Sequence, residues 1–86
     1  MDINELIAIV KKKLENEIII ENIYIEDKSF LHKNHSGNQE DKFHLKILVQ
    51  SNELKLMNRI DSNKKIYKVL TNELKSHIHS LQILIS

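Results

Sequence analysis

The sequence predicts an α+β domain in which a three-stranded sheet carries helices packed on one side. Apolar residues recur at helical spacing at Ile3, Leu6, Ile7, Val10 and Leu14, and again at Ile66, Tyr67, Val69, Leu70 and Leu74. Three other segments, 18–26, 43–50 and 77–85, are short, apolar and rich in β-branched residues, as strands are. The resulting order, α-β-β-α-α-β, contains no repeat, and a two-layer packing of helices on a sheet buries all of its apolar faces.

Each element has a local cause. Asp2 can cap a first helix over residues 3–16, with Glu5 three positions on as in a capping box. In "EIIIENIYIED" the period changes to two, which predicts a strand over 18–26. "DKSFLHKNHSGNQEDK" follows, polar and unperiodic, and it holds the chain's single glycine, Gly37. A loop of that length in a small domain points to function.

"FHLKILVQ" predicts the second strand and an antiparallel hairpin with the first. Phe43, Leu45, Ile47 and Val49 share one face, and His44, Lys46, Leu48 and Gln50 share the other, where solvent is the default for His44. "SNELKLMNRID" predicts a short helix capped by Ser51 or Asn52. A turn near Asp61 leads into one further helix, and "HIHSLQILI" closes the chain as the last strand.

Composition removes several function classes. The 86 residues predict one domain, 1–86. There is no cysteine, so neither a disulfide nor a resident all-thiolate metal site is available. Thirteen basic against 12 acidic residues give a net charge of +1, which is not the footprint of a dedicated nucleic-acid binder. No window is long and apolar enough to span a membrane. The acidic start "MDINEL" resembles no targeting peptide, so the expected location is cytoplasmic. There is no nucleophile elbow and no glycine-rich phosphate loop, and the expectation is a protein that is not an enzyme.

The five histidines are the remaining chemistry, and all fall outside the predicted helices. His32 and His35 lie in the long loop, His44 opens the second strand, and His77 and His79 open the third. Alternate residues on a strand project to one face, so a His-x-His there can present two imidazoles together. Nitrogen ligands suit zinc, copper, iron and nickel. A single histidine is more often a solvated polar residue, and His77 can simply complement the preceding helix dipole. His79 has the parity of Leu81, Ile83 and Ile85.

The element order resembles the bacterial, type II form of the KH domain. A KH domain clamps a nucleic-acid backbone with a GXXG loop between two helices. Here that junction is read as "RIDSNKK", without glycine, leaving Arg59, Lys64 and Lys65 as phosphate partners.

Four segments in order resemble the BolA family over residues 3–85. "DKSFLHKNH" is similar to its D-x-S-x-x-H segment, and "FHLKILVQS" to its H-F-x-V-x-V-V-S strand, with His44 at the histidine and Ser51 at the serine. "KIYKVLTNEL" resembles V-Y-x-x-L-x-x-E-L, and "IHSLQI" resembles the closing I-H-A-L signature, which puts the family's characteristic histidine at His79. Where the family has Arg-His-Arg before its third helix segment, this chain has Ser62, Asn63 and Lys64, which weakens the basic surface associated with DNA contact.

The resemblance implies a KH-like (BolA-like) fold and a non-enzymatic adaptor for iron–sulfur cluster assembly or trafficking. Its implied partner is a monothiol glutaredoxin in a heterodimer, with a bridging [2Fe–2S] cluster held also by glutathione and no cofactor in the isolated protein. Carried over by position, His79 is the first ligand, His32 the second, and His35 a reserve three residues away. The second helix and its turn would form part of the docking surface. The alternative is a transcriptional regulator that binds DNA, weakly, through the KH-like surface. A third reading is a zinc module built from three histidines.

Overall fold

The computed structural model describes residues 1–29 and 42–86. Along them run α1 (Ile3–Glu17), β1 (Asn22–Asp27), β2 (Phe43–Gln50), α2 (Asn52–Lys55), α3 (Arg59–Val69), α4 (Thr71–Ser76) and β3 (Ile78–Ile85). The sheet order is β1-β2-β3. β2 pairs antiparallel with β1 and parallel with β3, so the sheet is mixed.

α1 starts where expected: Asp2 is extended and its carboxylate accepts from the Glu5 amide at 2.9 Å. Leu6, Val10 and Leu14 form its buried stripe and pack with Ile25, Leu45, Ile47, Val49, Leu54, Ile66, Leu70 and Ile78 in one core. Burying each such side chain contributes about 1.5–3 kcal/mol before chain entropy is subtracted. Successive rows across the inner face are Ile23–Val49–Ile85, Ile25–Ile47–Ile83 and Asp27–Leu45–Leu81.

The outer face has the opposite parity. Its rows are Tyr24–Leu48–Leu84, Glu26–Lys46–Gln82, and His44 with Ser80. Tyr24 and Leu84 are 60% and 45% exposed, consistent with helices covering only the inner face.

The structure corrects two boundaries. The first strand begins at Asn22 and not at residue 18, because Ile18 still belongs to the helix end and the Ile19 backbone is satisfied by side chains. Ile18 closes α1, the Ile19 amide donates to Glu53 Oε1 at 3.0 Å, and the Ile19 carbonyl accepts from Ser51 Oγ at 2.7 Å. The helix expected after Asp61 is two helices and starts earlier, at Arg59, capped by Asn58. It breaks at Leu70 (φ −98°, ψ 18°), where the Thr71 hydroxyl donates to the Lys68 carbonyl at 2.8 Å in competition with helical bonding. The expected cap of the short helix is Ser51, whose Oγ accepts from the Leu54 amide.

Candidate metal-ligating site at the end of the sheet

Three segments meet at the end of the sheet from which the long loop departs. The Asp27 carboxylate accepts from the Ser29 amide at 2.9 Å, a tight Asx turn at the loop's root. Ser29 Oγ accepts from the His44 amide at 3.1 Å, and the His44 carbonyl accepts from the Lys28 amide at 2.7 Å. The backbone of His44 is therefore tied to Lys28 and Ser29 at that root. On β3, Ser80 Oγ is hydrogen-bonded to His44 Nδ1 at 2.6 Å.

The β2–β3 ladder slips by one residue here. Phe43 pairs with Ile78, but His44 pairs with Ser80, so His79 has no opposite residue. This bulge reverses side-chain parity along β3. Ile78 remains in the core, Leu81, Ile83 and Ile85 still face inward, and His79 is turned out and exposed. Its ring lies against the His44 ring, centroids 4.9 Å apart and planes tilted by 54°.

Three sequence expectations change accordingly. His79 does not share the face of Leu81, because parity counting fails across a bulge. His77 and His79 do not project together from one strand face. His77 is the C-cap of α4, its amide donating to the Glu73 carbonyl and its carbonyl accepting from Phe43. His44 is not solvated: it is 5% exposed, roofed by His79 and bonded to Ser80. The alternation rule placed it correctly on the outer face but could not show that a neighbouring imidazole covers it.

His32 and His35 lie outside the described residues. Among the described residues no group of three or more His, Asp or Glu side chains could hold a metal ion. Ser29 and Ser80 also contribute, and both stand within the "DKS" and "IHS" segments, where no spacing rule distinguishes them from solvated serines.

The proposed phosphate partners are divided. The turn between α2 and α3 runs through residues 56–58, several positions before the expected junction. Arg59 lines a groove beside this turn with Leu54, Met57, Ile83 and Ile85. Lys64 and Lys65 line a different cleft, between α1 and α3, with Lys13 and Lys68. Lys65 is engaged by Glu53 and Lys13 by Glu73, and the carboxylates of Glu17 and Asp61 share that cleft. The three residues line two different grooves.

The family model for BolA-like protein matches residues 14–86. The chain belongs to the BolA-like family. Protein BOLA1, chloroplastic, of Arabidopsis thaliana is 29% identical over 77 residues, which span 86% of this chain and 48% of that protein. The DNA-binding transcriptional regulator BolA of Haemophilus influenzae is 28% identical over 75 residues, 87% of this chain and 70% of that one. The chain thus spans about half the length of the first relative. Among solved structures, the BolA domain of SufE1 from Arabidopsis thaliana superposes with a TM-score of 0.77 at 28% identity, covering 92% of this chain and 87% of that one. The family assignment and the α+β BolA fold match the sequence expectation. The convergence of "DKS", "FH" and "IHS" at one sheet end explains how residues far apart in a BolA-like chain can form one signature.

Proposed function

We propose that this BolA-like chain is a non-enzymatic adaptor that shares a [2Fe–2S] cluster, as cargo, with a monothiol glutaredoxin. The observation that supports this reading is an exposed imidazole, His79, mounted on a bulged strand at the sheet end where the histidine-bearing loop is rooted. A strand-borne ligand is held firmly, and His32, or else His35, would supply the second one. With no cysteine in the chain, the thiolates come from the glutaredoxin and its glutathione.

An imidazole in place of a thiolate raises the reduction potential of such a cluster, as in Rieske centres. It also leaves a protonatable ligand, which suits transfer or sensing better than storage. In this reading the chain's own residues do three things. His79 donates a ring nitrogen, the bulge turns that ring outward, and the Ser29–His44 bond keeps the loop's root beside it.

The test is anaerobic cluster reconstitution with a monothiol glutaredoxin, read by visible circular dichroism and size exclusion. A heterodimer spectrum distinct from that of the glutaredoxin homodimer, and lost in His79→Ala, is expected. An unchanged homodimer spectrum without co-elution would overturn the reading.

A DNA-binding regulator is the second reading, favoured by the name of the Haemophilus influenzae relative and by the lysines of the α1–α3 cleft. The division of Arg59 from Lys64 and Lys65 between two surfaces makes it the weaker one.

A further inference from the structure

His79 and the loop root depend on the same neighbour. His44 is buried at 5% exposure, a costly place for an imidazole unless its polar atoms are engaged. Its Nδ1 is engaged by Ser80, the residue after His79. Its ring face lies against the His79 ring at a separation and tilt typical of favourable aromatic pairs. Its amide and carbonyl hold Ser29 and Lys28. One residue on the central strand therefore touches the strand that carries His79 and, at Lys28 and Ser29, the root of the segment that follows β1, while its own burial keeps it from being a ligand that a partner could reach.

We infer that His44 is a positioning residue: its ring, fixed through Nδ1 to Ser80, is the surface against which the exposed His79 ring takes one orientation. This deepens the adaptor reading and rests on it for its biological meaning, although the orientation itself is a property of the isolated chain. The effect is entropic. An exposed histidine on a bulge has several side-chain rotamers, and ordering them when a ligand bond forms opposes binding. A ring already held against His44 has lost that freedom before the partner arrives. Side chains that orient a ligand typically change metal affinity or activity by about 10- to 100-fold when removed.

Two variants separate the contributions. Ser80→Ala removes the bond to Nδ1 at an exposed position and leaves both rings. His44→Phe keeps a ring of similar breadth and removes Nδ1. In the isolated protein, NMR reads the His79 rotamer from side-chain couplings and from the proximity of the His44 and His79 ring protons. The expected result is a single His79 rotamer in the wild type, rotamer averaging in Ser80→Ala, and partial restoration of order in the Ser80→Ala protein when His44→Phe is added. In the heterodimer with glutaredoxin, Ser80→Ala should lose its cluster about tenfold faster than wild type. Its visible dichroism should be altered and its amide spectrum should remain that of a folded protein.

A His79 ring that is equally ordered in Ser80→Ala and in wild type would overturn the inference. So would a Ser80→Ala heterodimer whose cluster spectrum and lifetime match the wild type. A wild-type protein that forms no heterodimeric cluster would overturn the adaptor reading instead, and the rotamer comparison would still decide the role of His44.

Discussion

Glu73 on α4 is buried, and its Oε2 accepts from Lys13 Nζ on α1 at 2.6 Å, joining two helices separated by 60 positions in sequence. The pair sits between two regimes, because the lysine is 38% exposed while the carboxylate is nearly covered. Exposed pairs contribute about 0–1 kcal/mol, and breaking a buried one costs about 3–5 kcal/mol. Glu73→Ala should therefore lower unfolding stability by about 1–3 kcal/mol, measured by urea denaturation. Adding Lys13→Met should cost little more, since the lysine has then already lost its partner.

His79→Ala should behave differently. The residue is exposed and lies outside the paired register, so its loss should change stability by no more than about 0.5 kcal/mol, the range for surface substitutions. An intact apo fold together with a lost heterodimer spectrum would separate ligand from scaffold. An unfolded variant would mean that the bulge depends on this side chain.

Ser51 is fully buried and joins the end of β2 to α2 and to the segment after α1. Its Oγ accepts from the Leu54 amide at 3.2 Å and donates to the Ile19 carbonyl at 2.7 Å. Ser51→Ala removes a helix cap and leaves that carbonyl unpaired by this hydroxyl. The expected loss is about 1–3 kcal/mol by thermal or urea unfolding. Ser51→Thr, which keeps the hydroxyl, should lose less if its methyl group is accommodated.

Glu53 carries a pH dependence. Its hydrogen bond with the Lys65 ammonium, and a second from the Ile19 amide, hold its carboxyl below the ordinary value of 4.5. A depressed folded-state value means that the ionised form stabilises the fold above the unfolded value. That contribution is lost as pH falls below about 4.5 and through the folded value. The urea midpoints of wild type and Glu53→Gln should thus differ at neutral pH and converge in acid. A difference that grows on acidification would contradict the sign.

For nucleic acid, Lys64 and Lys65 should act together and Arg59 apart, because they line separate grooves. Any DNA binding should weaken steeply with salt, and removing a phosphate-contacting lysine should reduce the salt slope by about one. Lys64→Ala should have more effect than Lys65→Ala, whose ammonium is already engaged by Glu53. Equal effects from Arg59→Ala and Lys64→Ala would indicate one continuous surface instead.

Local rules made much of the fold legible. The cap at Asp2, the stripe of Leu6, Val10 and Leu14, and the alternation through Phe43–Gln50 are encoded within a few residues of where they act, so periodicity finds them. The segment 18–21 misled for the opposite reason. Its isoleucines have strand character, but Ser51 and Glu53, more than 30 positions away, take the backbone bonds of Ile19. The break at Leu70 depends on a threonine hydroxyl competing for a carbonyl, which hydrophobic spacing does not register.

The candidate site divides along the same line. By itself the sequence determined that chemistry would fall to histidine, since the chain has no cysteine, and its motifs singled out His79 and the loop histidines His32 and His35. Only the tertiary structure decided that His79 faces out while Ile78 faces in, that His77 ends a helix, and that His44 is buried beneath its neighbour. Side-chain direction along β3 is set by its pairing with β2, and a one-residue slip between the strands reverses it. That slip is a relation between segments more than 30 residues apart, so no local pattern contains it.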